Sequence, residues 1–282
     1  DTLPVSGDSW TFGAAGAGGT TLTNGLTTPG TFEVAGITFN GAASAYVIDS
    51  AHGASFTLTG NILTTSANDH TIGSHIAVSG TRQVNLNGSK NINLTGNLTG
   101  SGSLTQTAGG TGAKSISFNG DNSGFTGTFT QNNDGNNRTA FNASTAGSAS
   151  AAWVLNRNVN GGTALNIPSG STISFGALSG GGFIRANTTG TITVSVGALN
   201  SDTTLSGKFQ QSNGSTQLAL TKVGTGIFTL STTNDHTATT TVNNGTLNIT
   251  GAVQNSDMIV NSSGTLQLGA SKTIKSITVN GA

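Results

Sequence analysis

Apolar and small polar residues alternate along this chain in short runs. S-F-T-L-T-G (55 to 60), H-I-A-V-S-G (75 to 80), N-I-N-L-T-G (91 to 96) and S-I-S-F-N-G (115 to 120) each place Ile, Val, Leu or Phe at every second position. Alternation with a period of two buries one face of a strand and leaves the other wet. Most runs close on Gly or Asn-Gly, where the backbone turns most cheaply. The pattern predicts an all-β chain of short strands, each followed by a corner.

The strands repeat. G-I-F-T-L (226 to 230), G-T-L-N-I (245 to 249) and G-T-L-Q-L (264 to 268) recur at one constant step, and Gly207 keeps the same step backwards. A second set, T-T-V-N (240 to 243), M-I-V-N (258 to 261) and I-T-V-N (277 to 280), lies between them. An antiparallel meander also uses Asn-Gly turns. Identical positions at one period favour a coil in which like residues stack along an axis. The expected fold is a right-handed parallel β-solenoid (β-helix), the hand following the bias of parallel crossovers. A period of about 19 to 20 gives roughly fourteen coils. Residues 1 to 30 are expected to form an N-terminal capping segment, with Trp10 and Phe12 over the first coil. Residues 31 to 282 form the solenoid, with a loop excursion near 131 to 152. Gly207, Gly226, Gly245 and Gly264 should share one corner. Phe228, Leu230, Leu247, Ile249, Leu266 and Leu268 should point inward, and no charge should do so.

Composition narrows the function classes. Charged residues are 7% of the chain, and ten acidic side chains balance ten basic ones. That balance argues against the basic stripe a nucleic-acid partner selects. Cysteine is absent, so neither a disulfide framework nor a thiolate metal site is available. No run approaches the roughly 18 apolar residues of a membrane helix. The opening D-T-L-P-V-S-G-D-S-W lacks the regions of a signal peptide, so an exported form is expected to have lost its signal already.

The segment L-T-K-V-G-T-G-I-F-T-L-S-T-T-N-D-H-T-A-T-T-T-V-N-N-G-T-L-N-I (220 to 249) closely resembles the autotransporter-associated β-strand repeat of large bacterial surface proteins. The resemblance is carried by Leu220, Lys222, Gly224, Gly226, Leu230, Asn234, Thr237, Thr240, Val242, Gly245, Thr246 and Leu247. Weaker echoes occur at 120 to 129, 175 to 182 and 196 to 207. The resemblance implies a parallel β-helix exported to the bacterial surface or medium, whose repeat does no chemistry. The family's full-length members end in a membrane barrel, for which nothing here has the length or aromatic girdles.

Candidate chemistry is sparse. Glu33 is the one glutamate, and Asp121 and Asp134 are the nearest approach to the two placed carboxylates a glycosidase needs; both read better as turn residues. The histidines are His52, His70, His75 and His236. Asp69-His70 and Asp235-His236 lie in matching N-D-H-T quartets. These raise a repeated metal site against corners capped by Asn and Asp. Q-N-N-D-G-N-N-R (131 to 138) has one carboxylate, Asp134, a poor calcium loop. Asn93, Asn97, Asn142 and Asn187 begin N-x-S/T sequons. Trp10, Trp153 and Tyr46 are expected in core or cap positions before sugar platforms.

No catalytic, cofactor-binding or metal-ligating residue is therefore expected, and no cofactor or small-molecule substrate. The leading expectation is a non-catalytic extracellular rod, a subunit or segment of a bacterial surface fibre, whose partners are other copies of itself joined end to end. The alternative is an adhesin passenger that binds a glycan or host surface.

Overall fold

The computed structural model describes residues 5–16, 19–24, 32–50, 53–88, 90–109, 112–134, 136–211, 214–269 and 273–281, with only the backbone at Asn24 and Ser50. It is all-β, and its strands stack in parallel as a β-solenoid. The chain divides into two compact units, Asp1–Ala140 and Phe141–Ala282.

In the first unit one sheet runs through Asp8–Phe12, Glu33–Phe39, Ile62–Thr64, Thr81–Leu86 and Ser103–Ala108. A second runs through Thr21–Asn24, Val47–Ser50, His70–Ile72, Ile92–Leu94 and Lys114–Phe118. Every pairing is parallel and joins a residue to its counterpart one coil later. Ile37, Ile62 and Val84 form one inward row in this way, and none is more than 1% exposed. The described part of residues 1 to 30 carries two strands of a coil. Residues 1–4, 17–18 and 25–30, also assigned to the expected cap, lie outside the described residues.

The second unit repeats the scheme. Thr172–Ser179, Gly190–Val196, Thr216–Lys222, Thr240–Ile249, Ala252–Leu268 and Ile274–Asn280 pair in succession. Their register builds the row Ile173, Val194, Leu220, Thr240, Met258, Ile277. Beside it runs Phe175, Val196, Lys222, Val242, Val260, Val279. A shorter sheet joins Thr163–Leu165, Phe183–Ala186 and Lys208–Gln210. The segment 131 to 152, expected as a loop excursion, carries the strand Asn137–Phe141, a 3-10 turn at Ser144–Ala146 and the start of Ser148–Leu155, with residue 135 outside the described set.

Three expectations change. The coil is longer than the Gly226-to-Gly245 step over most of the chain, since Asp8 pairs with Val34 and Ile37 with Ile62. The short period belongs to the C-terminal coils, where Thr240 pairs with Met258 and Leu247 with Leu266. The turns accordingly number about 11 among the described residues. Gly226, Gly245 and Gly264 do share a corner, since Gly245 pairs with Gly264 and Ile227 with Thr246. Gly207 belongs to a different one, stacked on Gly182 and bonded through its carbonyl to the Thr232 hydroxyl. The third change is that two lysines point inward.

Phe228, Leu230, Leu247 and Ile249 are buried to within 1%. Leu266, one coil on, is half-buried and Leu268 is 39% exposed. Along the two rows named above, exposure rises from 1% at Met258 to 50% at Ile277 and from 6% at Val260 to 65% at Val279.

Candidate functional site

Several of the residues singled out for chemistry make contacts between coils. In the first N-D-H-T quartet Asn68 Nδ2 donates to the Ala43 carbonyl at 2.9 Å. Asp69 Oδ1 accepts the Asn91 backbone and side-chain N–H groups at 2.9 and 3.1 Å. His70 is fully buried and stacked on Phe39, with ring centroids 3.9 Å apart and planes 8° from parallel. Its Nδ1 accepts the Tyr46 N–H at 3.3 Å. In the second quartet Asn234 Oδ1 accepts the Phe209 N–H at 2.8 Å, and Asp235 Oδ1 accepts the Gln211 N–H at 2.5 Å. Asp235 Oδ2 lies 3.2 Å from Lys208 Nζ. His236, also fully buried, meets the Thr240 hydroxyl through Nε2 at 2.9 Å. That hydroxyl lies 2.8 Å from Ser256 Oγ, which donates to the Ala238 carbonyl at 2.7 Å.

Burial pushes both imidazoles down to about 4, against the weaker upward pull of Asp69 and Asp235. Both rings are therefore neutral near pH 7. His75 Nδ1 accepts the Asn97 N–H at 2.8 Å, while His52 lies outside the described residues. Among the described residues no three His, Cys, Asp or Glu side chains gather as a metal site would require.

The two carboxylates weighed as a catalytic pair are each committed to backbone. Asp121 Oδ1 accepts the Ser123 N–H at 2.9 Å. The Ser123 hydroxyl and then its N–H hold the Asp121 carboxyl below its usual range. Asp134 Oδ1 accepts the Ala108 N–H at 3.1 Å and Asn137 Nδ2 at 3.3 Å. Within 131 to 138, the Asn137 amide also donates to Asn132 and Gln106 carbonyls, both at 3.2 Å. These groups fold the segment onto the preceding coil. Glu33 is exposed at the start of its strand.

Trp153 is fully buried, donates Nε1 to the Ser148 carbonyl at 3.2 Å, and meets Phe141 and Phe175 edge-on. Trp10 packs on Phe32 and Phe56, and Tyr46 on Phe12. Of the sequon asparagines, Asn97 Oδ1 accepts the Asp121 N–H at 2.9 Å. Asn142, Asn166 and Asn187 form an amide ladder with steps of 2.7 and 2.9 Å. Asn93 is half-exposed on Ile92–Leu94.

Two lysines missed as inward residues complete the set. Lys222, 1% exposed, donates Nζ to the carbonyls of Val223, Gly224 and Asn244 at 2.6, 2.8 and 3.2 Å. Lys114, also 1% exposed, donates Nζ to the Gly109 carbonyl. Burial lowers both ammonium groups below their ordinary value, opposed at Lys222 by the charge of Asp202 and at Lys114 by that of Asp134.

No protein-family model, curated protein or solved structure matches this chain.

Proposed function

We propose that this protein is a non-catalytic structural β-solenoid, a subunit or segment of an extracellular bacterial fibre assembled end to end. The observation that carries the reading is how the carboxylates are engaged. Asp69 bonds Asn91, Asp134 bonds Ala108, Asp202 bonds Ile227, Asp235 bonds Gln211, and Asp257 bonds Lys275 and Ser276. Each contact joins groups about one coil apart. Amide ladders do the same at Asn243, Asn261 and Asn280, with steps of 2.6 and 2.9 Å. Polar groups fixed in this way stiffen the stack and are not poised to move protons.

End-to-end assembly is in keeping with the parallel stacking of coils, in which each coil is covered by the next; the exposed apolar side chains Leu268, Ile277 and Val279 are a surface that a second copy or a further coil would cover. A head-to-tail contact that does not close on itself gives an open fibre. Surface display is supported by the resemblance of residues 220 to 249 to exported repeats. Light scattering and electron microscopy across a concentration series test the assembly. Fibres that disappear in Val279→Lys support it, and a monomer at high concentration overturns it. A glycan array run in parallel should be blank, and specific binding there would favour the adhesin reading.

A further inference from the structure

The N-D-H-T quartets occur once in each unit, and in both the histidine sits at a corner with no solvent exposure. The geometry around each ring leaves no good place for a second proton. At His70 the Tyr46 N–H points at Nδ1, so the neutral ring carries its hydrogen on Nε2. Proton uptake at Nδ1 would set two donors against each other and break a bond between coils. Nε2 is buried without a hydrogen-bond partner among the described residues, so the cation gains nothing on its other side. At His236 the order is fixed from the far end. Ser256 donates to the Ala238 carbonyl, Thr240 donates to Ser256, and His236 Nε2–H donates to Thr240. The second proton must go to Nδ1, which is buried and has no partner among the described residues.

The charged and titratable groups on the surrounding elements do not rescue either cation. Around His70 they are Asp69 beside it, Asp49 on Val47–Ser50 and Tyr46. Asp69 already accepts two hydrogen bonds from Asn91. Around His236 they are Asp235, Lys208 on the neighbouring strand and Asp257 next to Ser256. Asp235 is held by Gln211 and Lys208, and Asp257 by Lys275 and Ser276. A charged imidazole without an acceptor in an apolar setting is relieved most simply by moving the ring to water.

We propose that the two Asn-Asp-His-Thr corners are acid-released latches: proton uptake by His70 and His236 swings each ring out and opens the coils it closes, leaving the intervening coils paired. Opening would expose the apolar face under each corner, Phe39 in the first and Phe209 in the second. Mild acid thus becomes a signal that loosens the solenoid at two defined places.

Hydrogen exchange read by mass spectrometry on the full chain at pH 7.5, 5.5 and 4.5, corrected for intrinsic rates, tests this. Protection over 44 to 48 and 64 to 74, and over 209 to 211 and 234 to 256, should fall at least tenfold between pH 7.5 and 4.5. Protection over 190 to 196 should hold. His70→Asn keeps an acceptor for Tyr46, and His236→Gln keeps a donor for Thr240. Each should abolish the acid response of its own corner and leave the other intact. A uniform loss over all coils, or an acid response that survives both substitutions, overturns the proposal. NMR titration of the parent's imidazoles gives a readout independent of the variants. A ring that titrates near 6.5 while its corner stays protected also overturns it.

Discussion

Replacing Lys222 by Met tests whether an inward ammonium holds a corner of the solenoid. The side chain occupies the row Phe175, Val196, Lys222, Val242, Val260, so its stem is packed among apolar neighbours while Nζ reaches three carbonyls. Two of these belong to its own corner, and the third, Asn244, to the next coil. Met preserves the stem and the approximate volume and removes only the donors. Each stranded carbonyl costs about 1 kcal/mol at the low end of the range for buried groups left unpaired. Relief of the ammonium's desolvation offsets part of anything larger. The expected loss is about 3 kcal/mol, equivalent to roughly 6 to 12 °C in melting temperature for a domain of this size.

Urea denaturation followed by circular dichroism measures the total. Hydrogen exchange over 222 to 246 locates it, because a stacked array can lose coils piecemeal. Lys275→Met is the control: its side chain is 54% exposed and its ammonium is paired to Asp257 at 2.7 Å. Solvent screens such a pair, so its loss should leave the urea midpoint close to the parent's. Lys222→Arg should be destabilised as well, since a planar fork cannot present its donors to three carbonyls arranged around one point. If Lys222→Met unfolds at the parent midpoint with unchanged exchange around Gly224 and Asn244, the ammonium does not sit in that corner and the reasoning fails.

Leu247→Ala should cost roughly 2 to 5 kcal/mol as a buried large-to-small change. Leu266→Ala, one coil on and half-buried, should cost clearly less by the same urea titration. Gly245 has φ +63°, and a Cβ there would lie 2.5 Å from the Gly224 carbonyl oxygen and 2.7 Å from that of Gly226. Gly245→Ala should therefore lose at least about 2 kcal/mol in thermal melts, more than the left-handed backbone alone demands. Stability should also fall in mild acid. The folded His236 pKa is lowered from 6.5 to about 4, so the contribution is intact above pH 6.5 and lost as pH falls towards 4. The full loss is about 3 kcal/mol for this residue. Urea midpoints at pH 7.5, 5.5 and 4 should show it in the parent, and a smaller fall in His236→Gln.

Strand identity is legible because alternation survives every change in coil length. S-F-T-L at 55 to 58 and H-I-A-V at 75 to 78 both form strands with the predicted inward positions. Coil length is not legible, because corners absorb insertions without disturbing the strands. Gly207 shows the consequence. It precedes Gly226 by the same step that separates Gly226 from Gly245, yet it turns a different corner, since the coil there takes the longer path from Leu205 to Leu230. A glycine-led strand begins at more than one corner of each coil, so spacing alone cannot say which.

The inward lysines escape notice for a different reason, one the sequence contains. Lys222 is in phase with Leu218 and Leu220, and Lys114 with Ile116 and Phe118, so alternation itself places them on the inner face. His70 is in phase with Ile72 and Gln131 with Phe129 in the same way. Composition argues that a narrow core excludes charge, and parity argues that these residues face it. Parity prevails because of where they stand: Lys222 and Gln131 end their strands, and Lys114, His70, Asn137 and Thr240 begin theirs. At those points the chain leaves the ladder and its carbonyls and N–H groups lose their sheet partners, which buried backbone must replace. An inward polar side chain at a strand end supplies the missing partner from inside, as Lys222 does for Gly224 and Asn244, and Asn137 for Asn132 and Gln106. Polar residues in phase with the core and adjacent to a corner are thus the sequence signature of the corner's own closure.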